Sequence, residues 1–94
     1  MEICEKKLVV ERLGDNELKL LIHLIKTGSM KVSDARSLGM GYGTFYRALY
    51  TLRDLNLVKE EVIKGVERRI RLNEQGEKVA EKLLEIDRIL VEGS

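Results

Sequence analysis

The hydrophobic period of this chain changes twice, and those two changes constrain the fold more than any other feature. Leu18, Leu21, Ile22 and Ile25, and then Phe45, Ala48, Leu49, Leu52 and Leu55, recur at steps of three and four. That spacing puts each set on one face of a helix of about 3.6 residues per turn. After Leu57 the pattern gives way to short apolar pairs, Leu57-Val58 and Val62-Ile63, and then to alternation. Ile70 and Leu72 fall on one side of the chain there, and Arg69 and Arg71 on the other. This reads as a β-hairpin with a cationic return strand and a turn at Lys64-Gly65. Beyond Asn73 the helical step returns as Val79, Leu83, Ile86 and Leu90. Helices that enclose one short hairpin give an α+β class, mostly α.

Local signals set the boundaries. Asp15 is the expected N-cap of a helix over 16–27, with Glu17 in its first turn and Gly28 ending it. Leu20 and Leu24 widen the apolar stripe of that helix. His23, in its middle, reads as an ordinary half-buried or surface histidine before it reads as a ligand or pH sensor. Ser29 to Val32 suit a single bridge of strand. Ser33 is the expected cap of a second short helix over 33–38, with Asp34 in its first turn and Gly39 after it. Met40-Gly41-Tyr42-Gly43 then makes a tight connection to a third helix over 43–55. Asn56 tolerates the left-handed conformation needed to leave that helix. Asn73 caps a last helix over 74–91, in which Gly76 is a poor helix former. Residues 2–13 fit either a strand, through Leu8-Val9-Val10, or a helix lined by Ile3, Val10 and Leu13, and are read as an N-terminal arm.

Composition removes several classes of function. A chain of 94 residues holds one core, so residues 1–94 form a single domain. Its parts are the arm (1–14), the helices and hairpin (15–72) and the last helix (73–94). The longest apolar stretch, Leu20 to Ile25, contains His23 and falls far short of the ~20 residues a bilayer requires. The expectation is no membrane association and a cytoplasmic location. One cysteine and one histidine allow no intrachain disulfide and leave a zinc site very few ligands. No metal and no cofactor are expected. No glycine-rich phosphate loop follows a strand and no nucleophile–base pair is suggested, so no enzyme is expected either. Twelve Glu and nine Lys against one Gln and three Asn make a composition of thermophilic type. In that setting Cys4 could bridge two subunits; the alternative is an ordinary reduced thiol.

Charge is segregated along the chain. The total is +1, but residues 1–30 carry 0, residues 31–71 carry +4 and residues 72–94 carry −3. A basic middle before an acidic last helix suits a polyanion facing the middle, against the alternative of a solvated surface.

The element order is helix, short strand, helix, tight turn, helix, hairpin, helix. It looks like a winged helix-turn-helix DNA-binding domain with a two-stranded wing. Gly43-Thr44-Phe45-Tyr46-Arg47-Ala48-Leu49, followed by Leu52 and Leu55-Asn56-Leu57-Val58, resembles the recognition-helix segment of PadR-type regulators. The helix ending and the string Arg68-Arg69-Ile70-Arg71-Leu72-Asn73-Glu74-Gln75-Gly76 resemble MarR-type regulators. Small size, few amides and no proline are similar to the minimal winged-helix proteins of hyperthermophilic archaea and their viruses; for a viral chain the cytoplasm would be the host's. Two departures stand out: Asn56 replaces a usual Gly, and Gly41 replaces a frequent Ser cap, giving the third helix a weaker start.

The resemblance implies a DNA interface. With the apolar residues of the third helix turned inward, Tyr42, Gly43, Thr44, Tyr46, Arg47, Tyr50 and Arg53 face out. Arg47 suits a bidentate contact to guanine, and Thr44 a phosphate or a thymine methyl. All three tyrosines of the chain fall at i, i+4 and i+8 on this one helix, where they touch DNA or plug the core edge. On the wing, Lys64, Arg68 and Arg69 are the candidate contacts to the minor groove or its phosphates, against the alternative of cross-strand pairs to Glu60 and Glu61. The 4-3-4 step of Val79, Leu83, Ile86 and Leu90 is that of a coiled-coil seam and marks the last helix as a dimerisation helix. Ala80, Leu84 and Val91 form a second stripe for its own domain. The implied function is sequence-specific binding of double-stranded DNA by a homodimeric transcriptional regulator. The alternatives are a protein-interaction winged helix and a non-specific architectural DNA-binding protein.

Overall fold

The computed structural model of the chain describes residues 8–93; Cys4 lies outside them. A 3-10 turn at Val9–Arg12 leads into α1 (Asp15–Thr27), a 3-10 helix (Val32–Leu38) and α2 (Tyr42–Asp54). The antiparallel strands β1 (Val58–Ile63) and β2 (Glu67–Leu72) follow, then α3 (Glu74–Glu92).

Of the N-terminal arm, the described residues from Leu8 onward form the 3-10 turn, with no strand; Ile3 lies outside them. Leu8, Val9 and Val10 are exposed and only Leu13 packs, half-buried, against the core. Arg12 ties the arm to the end of α2 through Asp54, Nη1 to Oδ2 2.7 Å. The start of α1 also differs from expectation. Leu18 N–H donates to Gly14 O at 3.0 Å, so extended Gly14 is the N-cap and Asp15 is the first helical residue. The Asp15 carboxylate serves the helix dipole and Lys19 Nζ, 3.5 Å away. Leu20, Leu21 and Leu24 are the buried residues of α1, with Leu18 and Ile22 flanking them.

Ser33 does not cap the short helix. Lys31 occupies the N-cap, and its N–H donates to the Asp34 carboxylate at 2.9 Å. An aspartate three residues into a helix can reach back to that donor, whereas Ser33 already lies inside. Between α1 and this helix, Met30 forms the expected single bridge. It exchanges backbone hydrogen bonds of 3.0 and 2.8 Å with Ile70 of β2, which pins the start of the helix-turn-helix to the hairpin.

In the hairpin Val58 pairs with Leu72, Glu60 with Ile70 and Val62 with Arg68. This set shares one face, with Val58, Ile70 and Leu72 buried, while Lys59, Glu61, Arg69 and Arg71 share the other. At the turn both Lys64 (φ 56°) and Gly65 (φ 72°) are left-handed. Asn56 is left-handed too (φ 61°), as the exit from α2 requires.

Asn73 caps α3 as expected, accepting from Gly76 N–H at 2.7 Å. It also joins α3 to the end of α2: its side-chain amide donates to Asn56 O at 2.8 Å and its N–H to Leu57 O at 3.0 Å. Gly76 is therefore no defect. A Cβ there would sit 2.0 Å from Leu57 O, so glycine is what lets the helix approach the strand.

The core is one cluster. Phe45, Ala48, Leu49 and Leu52 of α2 meet Leu20, Leu21 and Leu24 of α1, Met30, Ala35 and Met40, the inner face of the hairpin, and Ala80 of α3. Val79 and Leu83 are half-buried against it. Past Leu84 helix α3 runs beyond the core, with Ile86 and Ile89 exposed, and the molecule is 52 Å in its longest dimension.

Candidate nucleic-acid interface

Successive residues of a helix turn by about 100°, so burial of Phe45, Ala48, Leu49 and Leu52 dictates the opposite face of α2. That face carries Tyr42, Gly43, Tyr46, Arg47, Tyr50 and Arg53, all exposed; Thr44 lies at its margin, half-buried. None of the tyrosines plugs the core. Tyr42, Tyr46 and Tyr50 are 48%, 52% and 65% exposed. The Phe45 and Tyr46 rings meet edge to face, with centroids 5.5 Å apart, which links an outward ring to the most buried aromatic residue.

Arg47 lies at the middle of this face. Among the described residues its guanidinium makes no ion pair or hydrogen bond; its backbone carbonyl accepts from the Thr51 hydroxyl at 3.2 Å. The start of α2 is likewise open. Gly41 is an extended N-cap with no side chain to accept from the first-turn N–H groups. A Cβ at Gly43 would meet nothing within 4 Å, so the backbone there can be closely approached. Arg36, from the preceding short helix, stacks over the Tyr42 ring at 6.0 Å and adds a cation beside this helix start. Sequence reasoning missed Arg36, because the pair spans the turn between two helices and no periodicity joins the two residues.

The wing cations divide into two groups. Lys64 stands exposed at the tip, with no ion pair among the described residues. Arg68 is 75% exposed and reaches Glu60 only at 4.0 Å. Arg69 is half-buried and doubly held: Nε donates to Glu67 Oε2 at 2.6 Å and Nη1 to Ser29 Oγ at 3.0 Å. It braces β2 against the loop that carries the Met30 bridge. Arg71 pairs with Glu61 at 3.3 Å on the same outer face of the hairpin. The cross-strand pairing expected of Glu60 and Glu61 is therefore present, and it coexists with cations that remain accessible.

Between α2 and the wing the fold assembles a group that the sequence does not. Tyr46 and Arg53 of α2 face Glu60 and Arg68 of the hairpin across a cleft of about 250 Å³, floored by Val32, Leu49 and Ile70. Arg53 forms an ion pair with Glu60. Elsewhere, among the described residues, no three of His, Cys, Asp and Glu converge as metal ligands, and no helix is long and apolar enough to cross a membrane.

No family model matches the sequence, and no curated protein matches it. Solved structures do. An apo double mutant of ZitR from Lactococcus lactis superposes with a TM-score of 0.78 at 18% identity, over 89% of this chain and 65% of that one. The transcriptional repressor BigR from Xylella fastidiosa gives 0.73 at 22% identity, over 83% of this chain and 78% of that one. A possible HxlR family transcriptional factor from Thermoplasma volcanium gives 0.72 at 24% identity, over 95% and 84%. The chain thus spans just under two thirds of the ZitR chain. At these identities the likeness establishes the fold: this is a winged helix, mostly helical, with the β1–β2 hairpin as the wing.

Proposed function

We propose that the protein is a homodimeric transcriptional regulator that binds double-stranded DNA sequence-specifically, without enzymatic activity. The observation that carries this reading is the outward face of α2, where three exposed tyrosines surround Arg47, a guanidinium without a partner among the described residues. A buried-face account of α2 explains none of these four side chains. BigR, which shares the fold, is named a transcriptional repressor, and that supports the same reading.

In the proposed complex α2 enters the major groove. Arg47 makes the bidentate contact to guanine, Thr44 meets a phosphate or a thymine methyl at the margin, and the tyrosine hydroxyls bind phosphate or base edges. The N–H groups around Gly43, with Arg36 beside them, receive a backbone phosphate. Lys64 and Arg68 lie on the minor groove or its phosphates, Arg53 faces the backbone between helix and wing, and Arg69 holds the wing in place. The dimer seam follows Val79, Leu83, Ile86 and Leu90 along α3, with Val79 and Leu83 shared with the chain's own core and Ile86 exposed beyond it. Its outer half projects past the domain core, where a second copy can reach it. A two-fold dimer of this kind reads half-sites about one helical turn, ~34 Å, apart. Such a regulator works in the cytoplasm, or in the host's cytoplasm if the chain is viral.

A salt titration of binding to random duplex and to the DNA upstream of its own gene tests the proposal. A steep fall of log K with log salt, and tighter binding to the upstream DNA, are expected. Equal binding to both would indicate an architectural protein. One observation favours a second reading, a protein-interaction module: Val62, Ile63 and Val66 are exposed at the wing tip. Absence of binding to either duplex at low salt would leave that reading standing.

A further inference from the structure

Glu60 is an acidic residue on the face that the proposed function turns toward a polyanion. It sits in β1 on the hairpin face shared with buried Ile70, opposite α2. Its carboxylate is held from two sides. One oxygen, Oε2, pairs with Arg53 of α2, and the other, Oε1, lies 4.0 Å from Arg68 of β2. The Glu60 side chain is 30% exposed, while Arg53 and Arg68 are 54% and 75% exposed, so the carboxylate is the inner member and the guanidiniums form the rim. The two anionic oxygens of a backbone phosphate offer an arginine the same bidentate, charge-assisted acceptor that a carboxylate does. The cleft therefore already contains an acceptor for the cations that would otherwise meet DNA.

We infer that Glu60 is a built-in competitor of DNA phosphate, which withholds Arg53 and Arg68 from arbitrary duplex and so keeps non-specific affinity low. The inference rests on the DNA-binding reading above. Arg53 paired with Glu60, and Arg68 4.0 Å from its other oxygen, present with that carboxylate a net charge of +1 where two arginines alone would present +2. Non-specific duplex binding is almost entirely phosphate neutralisation, and each phosphate contact contributes a slope of about −0.9 in log K against log salt. Releasing one arginine to one further phosphate thus steepens the slope by about 0.9. At 0.1 M salt, one decade below 1 M, that corresponds to about an eightfold gain in affinity. The arrangement also raises the discrimination required of a regulator, because it acts against the wrong partner rather than for the right one.

Glu60→Gln removes the charge with little change of shape, and both of its partners are more than half exposed, so the fold is retained; a far-UV CD melt verifies this. Glu61→Gln is the control, with the same change of net charge but on the opposite face of the hairpin, against Arg71. Binding to a random-sequence duplex is measured for wild type and both variants across a salt series. The expected result is an approximately eightfold gain and a slope steeper by about one for Glu60→Gln, a much smaller gain and an unchanged slope for Glu61→Gln, and no gain when Glu60→Gln is added to a protein already carrying Arg53→Ala and Arg68→Ala. Equal effects of the two glutamine variants would reduce the role of Glu60 to bulk charge and overturn the inference. Wild-type binding with no change in Glu60→Gln would overturn it while the DNA reading survives; no binding by any variant at low salt would end both. In the wild-type protein, the NMR signal of the Glu60 carboxyl carbon should shift as random duplex is added, and a signal that stays in place would equally refute displacement.

Discussion

Replacing Gly76 by alanine should sharply destabilise the domain, although alanine is the better helix former. The substitution adds one methyl group whose carbon would lie 2.0 Å from Leu57 O, 3.0 Å from Leu57 C and 3.1 Å from a Leu72 methyl. An unstrained C···O contact needs about 3.3 Å, so α3 would have to retreat by more than an ångström at its first turn. The same turn hangs on Asn73, whose N–H donates to Leu57 O at 3.0 Å and whose amide donates to Asn56 O at 2.8 Å. A retreat of that size lengthens both beyond useful hydrogen-bond distance. Overpacking costs about 1–3 kcal/mol and the two weakened hydrogen bonds about 1 kcal/mol each, offset by about 1 kcal/mol of improved helix propensity. The net loss is about 2–4 kcal/mol, or about 10–30 °C in Tm for a domain of this size. Gly43→Ala provides the opposite sign within the same protein. It is an exposed helical position with open space around the new methyl, so stability should rise by up to about 1 kcal/mol. Thermal and urea denaturation followed by far-UV CD read both. A Gly76→Ala variant that melts at or above wild type would refute the close-approach argument, since propensity would then have outweighed the clash.

Three other outcomes bear on function. Arg47→Ala should lose about 1–3 kcal/mol of discrimination between a selected site and random duplex, with an unchanged melting curve; competition binding measures it, and retained discrimination would remove Arg47 from base readout. Lys64→Gly relieves a left-handed lysine and should raise stability by about 1 kcal/mol in denaturant titrations, while making the salt dependence of DNA binding shallower by about one unit of slope. A destabilised variant, or one with an unaltered slope, would count against a wing tip strained in the service of binding. Ile86→Glu alters a half-exposed position of α3 beyond the core, so the monomer should remain folded while light scattering shows loss of the dimer. A wild-type protein that is already monomeric at micromolar concentration would end the proposal that α3 dimerises.

Much of this was legible in the residues, and the reasons are local. Helical and alternating periods are properties of neighbouring positions, so the three helices, the hairpin and its Lys64-Gly65 turn follow from spacing alone. Gly28, Gly39, Asn56 and Asn73 marked their boundaries because left-handed backbone and side-chain capping are decided within a few residues. The outward face of α2 was legible for the same reason, as the complement of four buried residues. Where the reading slipped, at Asp15 and Ser33, the cap fell one or two residues earlier: extended Gly14 precedes Asp15 with no side-chain cap, and the Asp34 carboxylate reaches back to Lys31 N–H.

The sequence by itself therefore determined the element order, the winged-helix class and the face of α2 on which the tyrosines and Arg47 stand. Tertiary structure alone decided what depends on distance between segments remote in the chain. It made Gly76 the contact point of α3 with Leu57, and it set Arg69 against Ser29, 40 residues away, rather than at the rim of the wing. It also brought Arg53, Glu60 and Arg68 to one cleft. Which charges meet there depends on how far the hairpin folds back over α2, and that angle is set by the packing of Ile70, Leu49 and Val32 beneath them rather than by any residue's own neighbours.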